Sequence, residues 1–213
     1  MRTAQHLCRF IRGLVKLSVL PFSLDDWHIT RFEMYSRLKD AAAEKAQKGQ
    51  RVLSISHSLP LCNIVGLTGL ETVETKYPEV NVLHLPYRDD TFDFVVSDQV
   101  LEHVEGDPQQ AVNESLRVLK PGGWVVLATC FLIPIHGAPS DYWRFTPESL
   151  VHLFRNSARV VQSGSWGNPL VPVMIAVGMQ FQRVPRKAWH PIHRLARFND
   201  REWPTVVWII AER

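Results

Sequence analysis

From Arg51 onward, short apolar runs alternate with stretches of helical period. Arg51–Ser56 (RVLSIS) reads as a buried strand, and Glu71–Thr75 and Val80–His84 as two shorter ones. Phe92–Ser97 (FDFVVS) is a fourth. Asp107–Leu119 is amphipathic, with Ala111, Val112, Leu116 and Leu119 on one face and Asp107 placed to cap it. Lys120-Pro121-Gly122-Gly123 stops that helix. Trp124–Cys130 is nearly all apolar, as a strand covered on both faces must be. Thr146-Pro147 opens another helix, predicted to reach about Asn156. Strands at Ala158–Ser163 and Trp203–Ala211 follow, and Phe32–Lys48 reads as a helix before the first strand. Seven strands separated by helices predict an α/β fold, a doubly wound, mostly parallel, Rossmann-like sheet with helices on both faces. Right-handed crossovers put the functional crevice at the C-terminal strand ends, among the loops after Ser56, Thr75, Ser97 and Cys130.

Two segments fall outside this alternation. Residues 1–30 form a separate segment ahead of a domain spanning 31–213. Within it, Met1–Phe22 places Arg2, Arg9, Arg12 and Lys16 among Leu7, Phe10, Ile11, Leu14 and Val15 at helical spacing. Lys16 interrupts the apolar run, which is too short to span a bilayer, and no small-residue cleavage site follows. A helix packed on the domain and an interfacial membrane helix both fit residues 1–22. The second segment, at about 165–202, reads as an insertion with an apolar stretch, Leu170–Phe181, and then six basic residues from Arg183 to Arg201. A packed lid with a solvated basic face is one reading; contact with an acidic substrate or an anionic surface is the other.

Hydrophobic residues make up 46% of the 213, enough for a large core. A formal charge of +3 gives no footprint for nucleic acid. Cys8, Cys62 and Cys130 lie far apart, without CxxC or zinc spacing. A reduced, cytoplasmic setting fits that usage, with peripheral contact at the inner membrane face left open by the first helix.

LPYRDDTFDFVVSDQVLEHV at 85–104 and ESLRVLKPGG at 114–123 resemble the class I methyltransferases of the type 11 family, and HGAPSDYWRFTPESL at 136–150 resembles a bacterial subset of it. The likeness runs from Arg51 to Leu153. It implies a sheet whose last strand is antiparallel, and S-adenosylmethionine (SAM) lying across the C-terminal strand ends. Glu74, with Glu71 as second choice, would hold the ribose hydroxyls. Asn81 would face the adenine amine through its side-chain oxygen, with Leu83, Leu85 and Pro86 as the apolar wall. Asp98 and Gln99 would lie beside the methionine part, although Asp98 is also placed to cap the turn Val100–His103.

Family members carry a glycine-rich loop close to D-x-G-x-G after the first strand. This chain has Ser54-Ile55-Ser56-His57-Ser58-Leu59-Pro60. Glycine suits that turn because it has no Cβ and adopts positive φ freely. Ser54, Ser56 and Ser58 replace it with small polar groups whose N–H and hydroxyl can reach the SAM carboxylate. A left-handed backbone at Ser56 or Ser58 would cost about 1 kcal/mol. The link Leu61–Leu70 is also short, which leaves the intervening helix two or three turns.

For chemistry, His136 is the expected general base, because histidine titrates near neutrality in water. Asp141 would orient it or hold a substrate hydroxyl, Arg144 would bind a substrate anion, and Tyr142 and Trp143 would wall the site. Against this stands a purely structural reading, in which Asp141, Arg144 and the aromatics lock the next helix. Glu102 and His103 fall near the substrate in some resembling enzymes; two ligands do not make a metal site, and none is expected. The acceptor implied is a small molecule or a glycan, methylated at oxygen or nitrogen. The alternative is a scaffold that kept the sheet and lost SAM.

Overall fold

The computed structural model describes residues 2–137, 139–157 and 159–213. Met1 and Ala158, the starts of the predicted first segment and sixth strand, lie outside them. The first elements are α1 (Arg2–Val19), β1 (Leu24–His28), α2 (Ile29–Leu38), β2 (Arg51–Ile55), α3 (Leu59–Ile64) and β3 (Glu71–Glu74). Next come β4 (Phe92–Asp98), a 3₁₀ turn at Leu101–His103, α4 (Pro108–Val118), β5 (Leu119–Cys130), α5 (Pro147–Leu153) and β6 (Arg159–Trp166). The chain ends with α6 (Leu170–Ala176), β7 (Arg183–Pro185), α7 (Pro191–Arg197) and β8 (Val206–Glu212).

Six strands form the main sheet in the order β3-β2-β4-β5-β8-β6. β3, β2, β4 and β5 run parallel, and β8 lies antiparallel between β5 and β6. Successive residues face opposite sides of a strand. Val52, Phe94 and Val126 therefore pack with Met34, Leu38 and Leu61 of α2 and α3. Leu53, Val95 and Val125 pack with Val112, Leu116 and Leu150 of α4 and α5. The predicted caps form: Asp107 accepts from the Gln109 amide at 2.8 Å, and Thr146 from the Ser149 amide at 3.1 Å.

The third expected strand, Val80–His84, does not form. The Asn81 Oδ1 accepts from the Leu83 amide at 2.9 Å, and the Asn81 carbonyl from the His84 amide at 3.0 Å. Asparagine bonds its own neighbouring backbone, and the segment closes into a turn. The expected helix Phe32–Lys48 starts earlier and stops at Leu38, with Asp40 left-handed at φ 57°. Residues after it dock on the end of α3 instead: the Asp40 amide bonds the Ile64 carbonyl and the Ala42 amide the Val65 carbonyl, both at 2.8 Å. A Cβ on Gly66 would sit 2.7 Å from the Ala43 Cβ, so only glycine permits this approach. Tertiary contact here overrides the helix propensity of the alanines.

The N-terminal segment and the insertion fold onto each other. β1 pairs antiparallel with β7, with Leu24 opposite Pro185 and His28 opposite Arg183. Phe22 packs edge-on against Trp189 with ring centroids 5.3 Å apart. This second, two-stranded sheet carries His28 and the start of α2 to the rim of the main sheet, beside Gln180 and Phe181.

Candidate active site

Two cavities lie at this rim. The larger, about 630 Å³, is lined by Ser56, His57, Tyr77, Val80, Asn81, Val82, Gln99, Val100, His103 and Tyr142, among others. The smaller, about 280 Å³, is lined by His28, Thr30, Arg31, Gln99, Ile133 to His136, Ile175, Gln180 and Phe181. Gln99 lines both.

Three of the five described non-glycine residues with positive φ lie here. Ser56 (φ 48°), His57 (φ 68°) and Gln99 (φ 55°) are left-handed without being glycine. Each such residue costs about 1 kcal/mol, and such costs concentrate where a site needs a particular chain path. The chain thus makes the sharp turn after β2 without glycine, and the loop is pinned because the Ser56 amide donates to Thr75 Oγ1 at 3.2 Å. Of the three serines, Ser56 alone lines the larger cavity. Ser58 keeps a negative φ; its hydroxyl donates to the Ile55 carbonyl and accepts from the Asp98 amide at 2.8 Å, tying β2 to β4. Ser54 is buried within β2. Neither Ser54 nor Ser58 reaches a ligand at the rim, contrary to expectation. α3 is six residues long, shorter even than the two or three turns expected.

Other expectations are also redistributed. Glu74 is exposed at the end of β3, outside both cavity walls, and in register with Ser54 on the α3 side of the sheet. Glu71 sits at the opposite end of that strand, paired with Arg51 at 2.9 Å and so committed away from the rim. Asn81 lines the larger cavity, but its Oδ1 is taken by the Leu83 amide, which leaves the Nδ2 group to donate. Leu83 and Leu85 are core residues beneath the wall; Val80 and Val82 form its surface. Asp98 does not cap the turn after it: the cap position is Val100, with no side-chain bond. Its Oδ2 accepts from the Tyr35 hydroxyl at 2.6 Å, while its buried Oδ1 and the buried Gln99 Nε2 have no partner among the described residues. Burial, then the Asp98 carboxylate, hold the Tyr35 phenol above its usual range, so it stays the donor.

Between the cavities stand two histidines. His103 lines the larger and His136 the smaller, with ring centroids 5.0 Å apart. The His103 Nδ1 lies 2.6 Å from the Ser140 carbonyl and the His136 Nδ1 3.1 Å from the Pro134 carbonyl. A carbonyl only accepts, so each ring carries its proton on Nδ1 and leaves Nε2 as the basic atom. Asp141 supports His136 through its backbone amide at 2.7 Å and lies 3.3 Å from its Nδ1. Arg144 grips Asp141 with both Nη atoms and also donates to the Ile133 carbonyl at 3.2 Å. Its donors are committed, so the expected anion-binding role falls away. The guanidinium holds the Asp141 carboxyl well below the usual carboxylate range.

Below His136, Glu102, Cys130 and His136 bring one potential ligand atom each within 4.8 Å of one another. Burial raises the Glu102 carboxyl and pushes the Cys130 thiol up to about 12. A cation binding there would have to displace both protons.

Residues 26–127 match the sequence profile described as the methyltransferase domain. Over that stretch, just under half of its length, the chain is similar to methyltransferase domains. It is 36% identical over 102 residues to the ubiquinone biosynthesis O-methyltransferase of Paracidovorax citrulli, covering 44% of this chain and 42% of that protein. It is 42% identical over 65 residues to the demethylmenaquinone methyltransferase of Bacillus mycoides, covering 29% and 27%. The chain spans less than half the length of these curated relatives. Its fold is that of a SAM-dependent methyltransferase from Archaeoglobus fulgidus, at a TM-score of 0.52, 16% identity and coverage of 87% of this chain and 92% of that one. The methyltransferase profile begins inside β1 and ends inside β5, so His136, Asp141 and the insertion lie beyond it.

His57, Tyr77, His28, Arg31, Gln180 and Phe181 were not singled out by sequence. Each stands outside the motifs that carry the family resemblance, and no spacing rule joins residues 28, 99, 136 and 181.

Proposed function

We propose that this chain transfers a methyl group from SAM to an oxygen or nitrogen of a small acceptor, with His136 as general base. The shared Gln99 wall carries the reading: it joins a cofactor-sized cavity to an acceptor-sized one. The unpartnered Gln99 Nε2 and Asp98 Oδ1 fit SAM, whose methionine end offers a carboxylate and an ammonium. Asn81 Nδ2 would donate to the adenine, between Val80 and Val82. SAM when bound supplies an electrophilic methyl group. The chain holds the acceptor atom in line, and His136 Nε2 takes its proton.

Calorimetric titration with SAM tests the first step. Saturable binding is expected, weakened about five- to tenfold by Gln99→Ala, the effect of losing one hydrogen bond. The glycine-free loop favours the other reading, a scaffold without cofactor. No heat up to millimolar SAM would decide for it.

The peripheral contact also takes a definite form. Leu7, Phe10, Leu14, Leu17 and Leu20 are each more than half exposed, while Val15 and Val19 pack on the core. α1 carries Arg9, Arg12 and Lys16 and no acidic residue, and Arg186 and Lys187 are exposed near Trp189, which meets Phe22. No described helix is long and apolar enough to cross a membrane. We propose that α1 lies on an anionic bilayer, its leucines in the interface and its cations toward the headgroups. The full chain should float with phosphatidylcholine vesicles containing phosphatidylglycerol, and a Leu7→Gln, Phe10→Gln, Leu14→Gln variant should not. Equal flotation of both proteins would overturn this. So would a concentration-dependent dimer abolished by the same variant, which would assign the stripe to a second copy.

A further inference from the structure

Among the described residues, Arg31 is the only lysine or arginine lining either cavity. Its guanidinium has five donor hydrogens; Nη1 donates to the Thr30 carbonyl at 3.2 Å and the Tyr35 hydroxyl lies within its reach, which leaves donors to spare. It forms no ion pair with any described carboxylate. Asp98 gives Oδ2 to Tyr35, and Glu102, its carboxyl raised by burial, gives Oε2 to the Thr129 hydroxyl. Every other arginine near the rim is committed, Arg144 most completely. A half-buried guanidinium in a cleft walled by Ile133, Ile175 and Phe181 has lost part of its hydration and gained only neutral hydrogen-bond partners, with no ion-paired carboxylate among the described residues. Such a group is stabilised when an anion enters, and its planar fork suits a carboxylate or a phosphate.

We infer that the smaller cavity is an acceptor site for a small anionic molecule, whose carboxylate or phosphate binds Arg31 while its hydroxyl or amine faces Gln99 and His136. A volume of about 280 Å³ admits one ring with its substituents and not the cofactor as well. Three apolar side chains cover the body of the ring. His28 adds a neutral neighbour: burial, then the charge of Arg31, pull its imidazole down to about 4, so it neither repels nor competes for the guanidinium. Its Nδ1 is bonded to the Thr30 hydroxyl at 2.9 Å. The acceptor role rests on the methyl-transfer reading, but anion binding is measured without turnover.

The probes are 3-hydroxybenzoate, phenyl phosphate and the neutral 3-hydroxybenzamide, each titrated into the full chain by ligand-observed NMR, with SAM titrated separately by calorimetry. One or both anions are expected to bind at least tenfold more tightly than the amide, and their ranking tells carboxylate from phosphate. Arg31→Gln should remove that preference, Arg31→Lys should keep part of it, and SAM affinity should change less than twofold in either. Equal binding of acid and amide, or a preference that survives Arg31→Gln, would overturn the inference. A large loss of SAM affinity in Arg31→Gln would overturn it too, because the guanidinium would then serve the carboxylate of SAM. Failure to bind SAM with anion preference intact would instead count against methyl transfer and leave the anion site standing.

Discussion

His136→Ala is expected to lower turnover by about 10²- to 10⁴-fold, the usual contribution of a general base, and to change SAM affinity less than twofold. The split follows from position. His136 lines the smaller cavity and not the larger, so its removal leaves the cofactor contacts in place. The Pro134 carbonyl and Asp141 fix the ring with Nδ1 protonated, and an alanine has nothing to present in place of Nε2. Turnover is read as conversion of SAM to S-adenosylhomocysteine with an accepted hydroxy acid. An unchanged rate would move the base to His103, whose ring is 5.0 Å away and whose Nδ1 is fixed the same way by Ser140.

Arg144→Ala is expected to destabilise the fold by about 3 kcal/mol, the lower end for breaking a buried ion pair by removing one partner. The Asp141 side chain is 2% exposed and loses its bidentate partner, while the Arg144 side chain at 25% exposure is less deeply buried. The carbonyls of Ile133 and Pro134 lose their donor as well. Chemical denaturation should show a lower midpoint at unchanged slope. Adding Asp141→Asn should recover part of the loss, since the stranded charge is then gone; no recovery would mean that the loop depends on packing rather than on the pair. The pH dependence has a definite sign. The Asp141 carboxyl is depressed in the folded protein, so its stabilisation is present above the ordinary carboxylate value, about 3.9, and is lost as pH falls toward the lower folded value. The Arg144→Ala variant should lose stability less steeply in acid.

The two predictions separate roles that one motif mixes. HGAPSDYWRFTPESL contains both the proposed base and the ion pair beside it: Arg144 grips Asp141, and Asp141 accepts from the His136 amide. Arg144 and Arg31 illustrate the limit of sequence reasoning. Arg144 stood in the motif and drew the anion-binding role; Arg31 stood in no motif and has no ion pair among the described residues. Whether a guanidinium is free depends on which acceptors the fold brings within 3 Å or so of it, and the sequence does not record that.

The same holds for the cofactor end. The left-handed turn after β2 was legible, because a loop that normally uses glycine had to follow the same path with Ser56. That His57 shares it, and that Ser58 is spent on tying β4 to β2, followed only from the hydrogen bonds. Glu74 was placed by strand order, but the sheet carries it on the α3 side of β3, away from the cavity wall.

The hydrophobic pattern by itself determined the sheet, its covering helices and the rim where the site lies, because burying apolar faces at periods of two and 3.6 allows few other arrangements. It also determined the caps at Asp107 and Thr146, which are local bonds between residues two or three apart. The tertiary structure alone decided the smaller cavity. β1 meets β7 across more than 150 residues of chain, bringing His28 and Arg31 to face Gln180, Phe181 and His136. That pairing has no signature in either segment, since a short strand becomes one only when its partner supplies the hydrogen bonds.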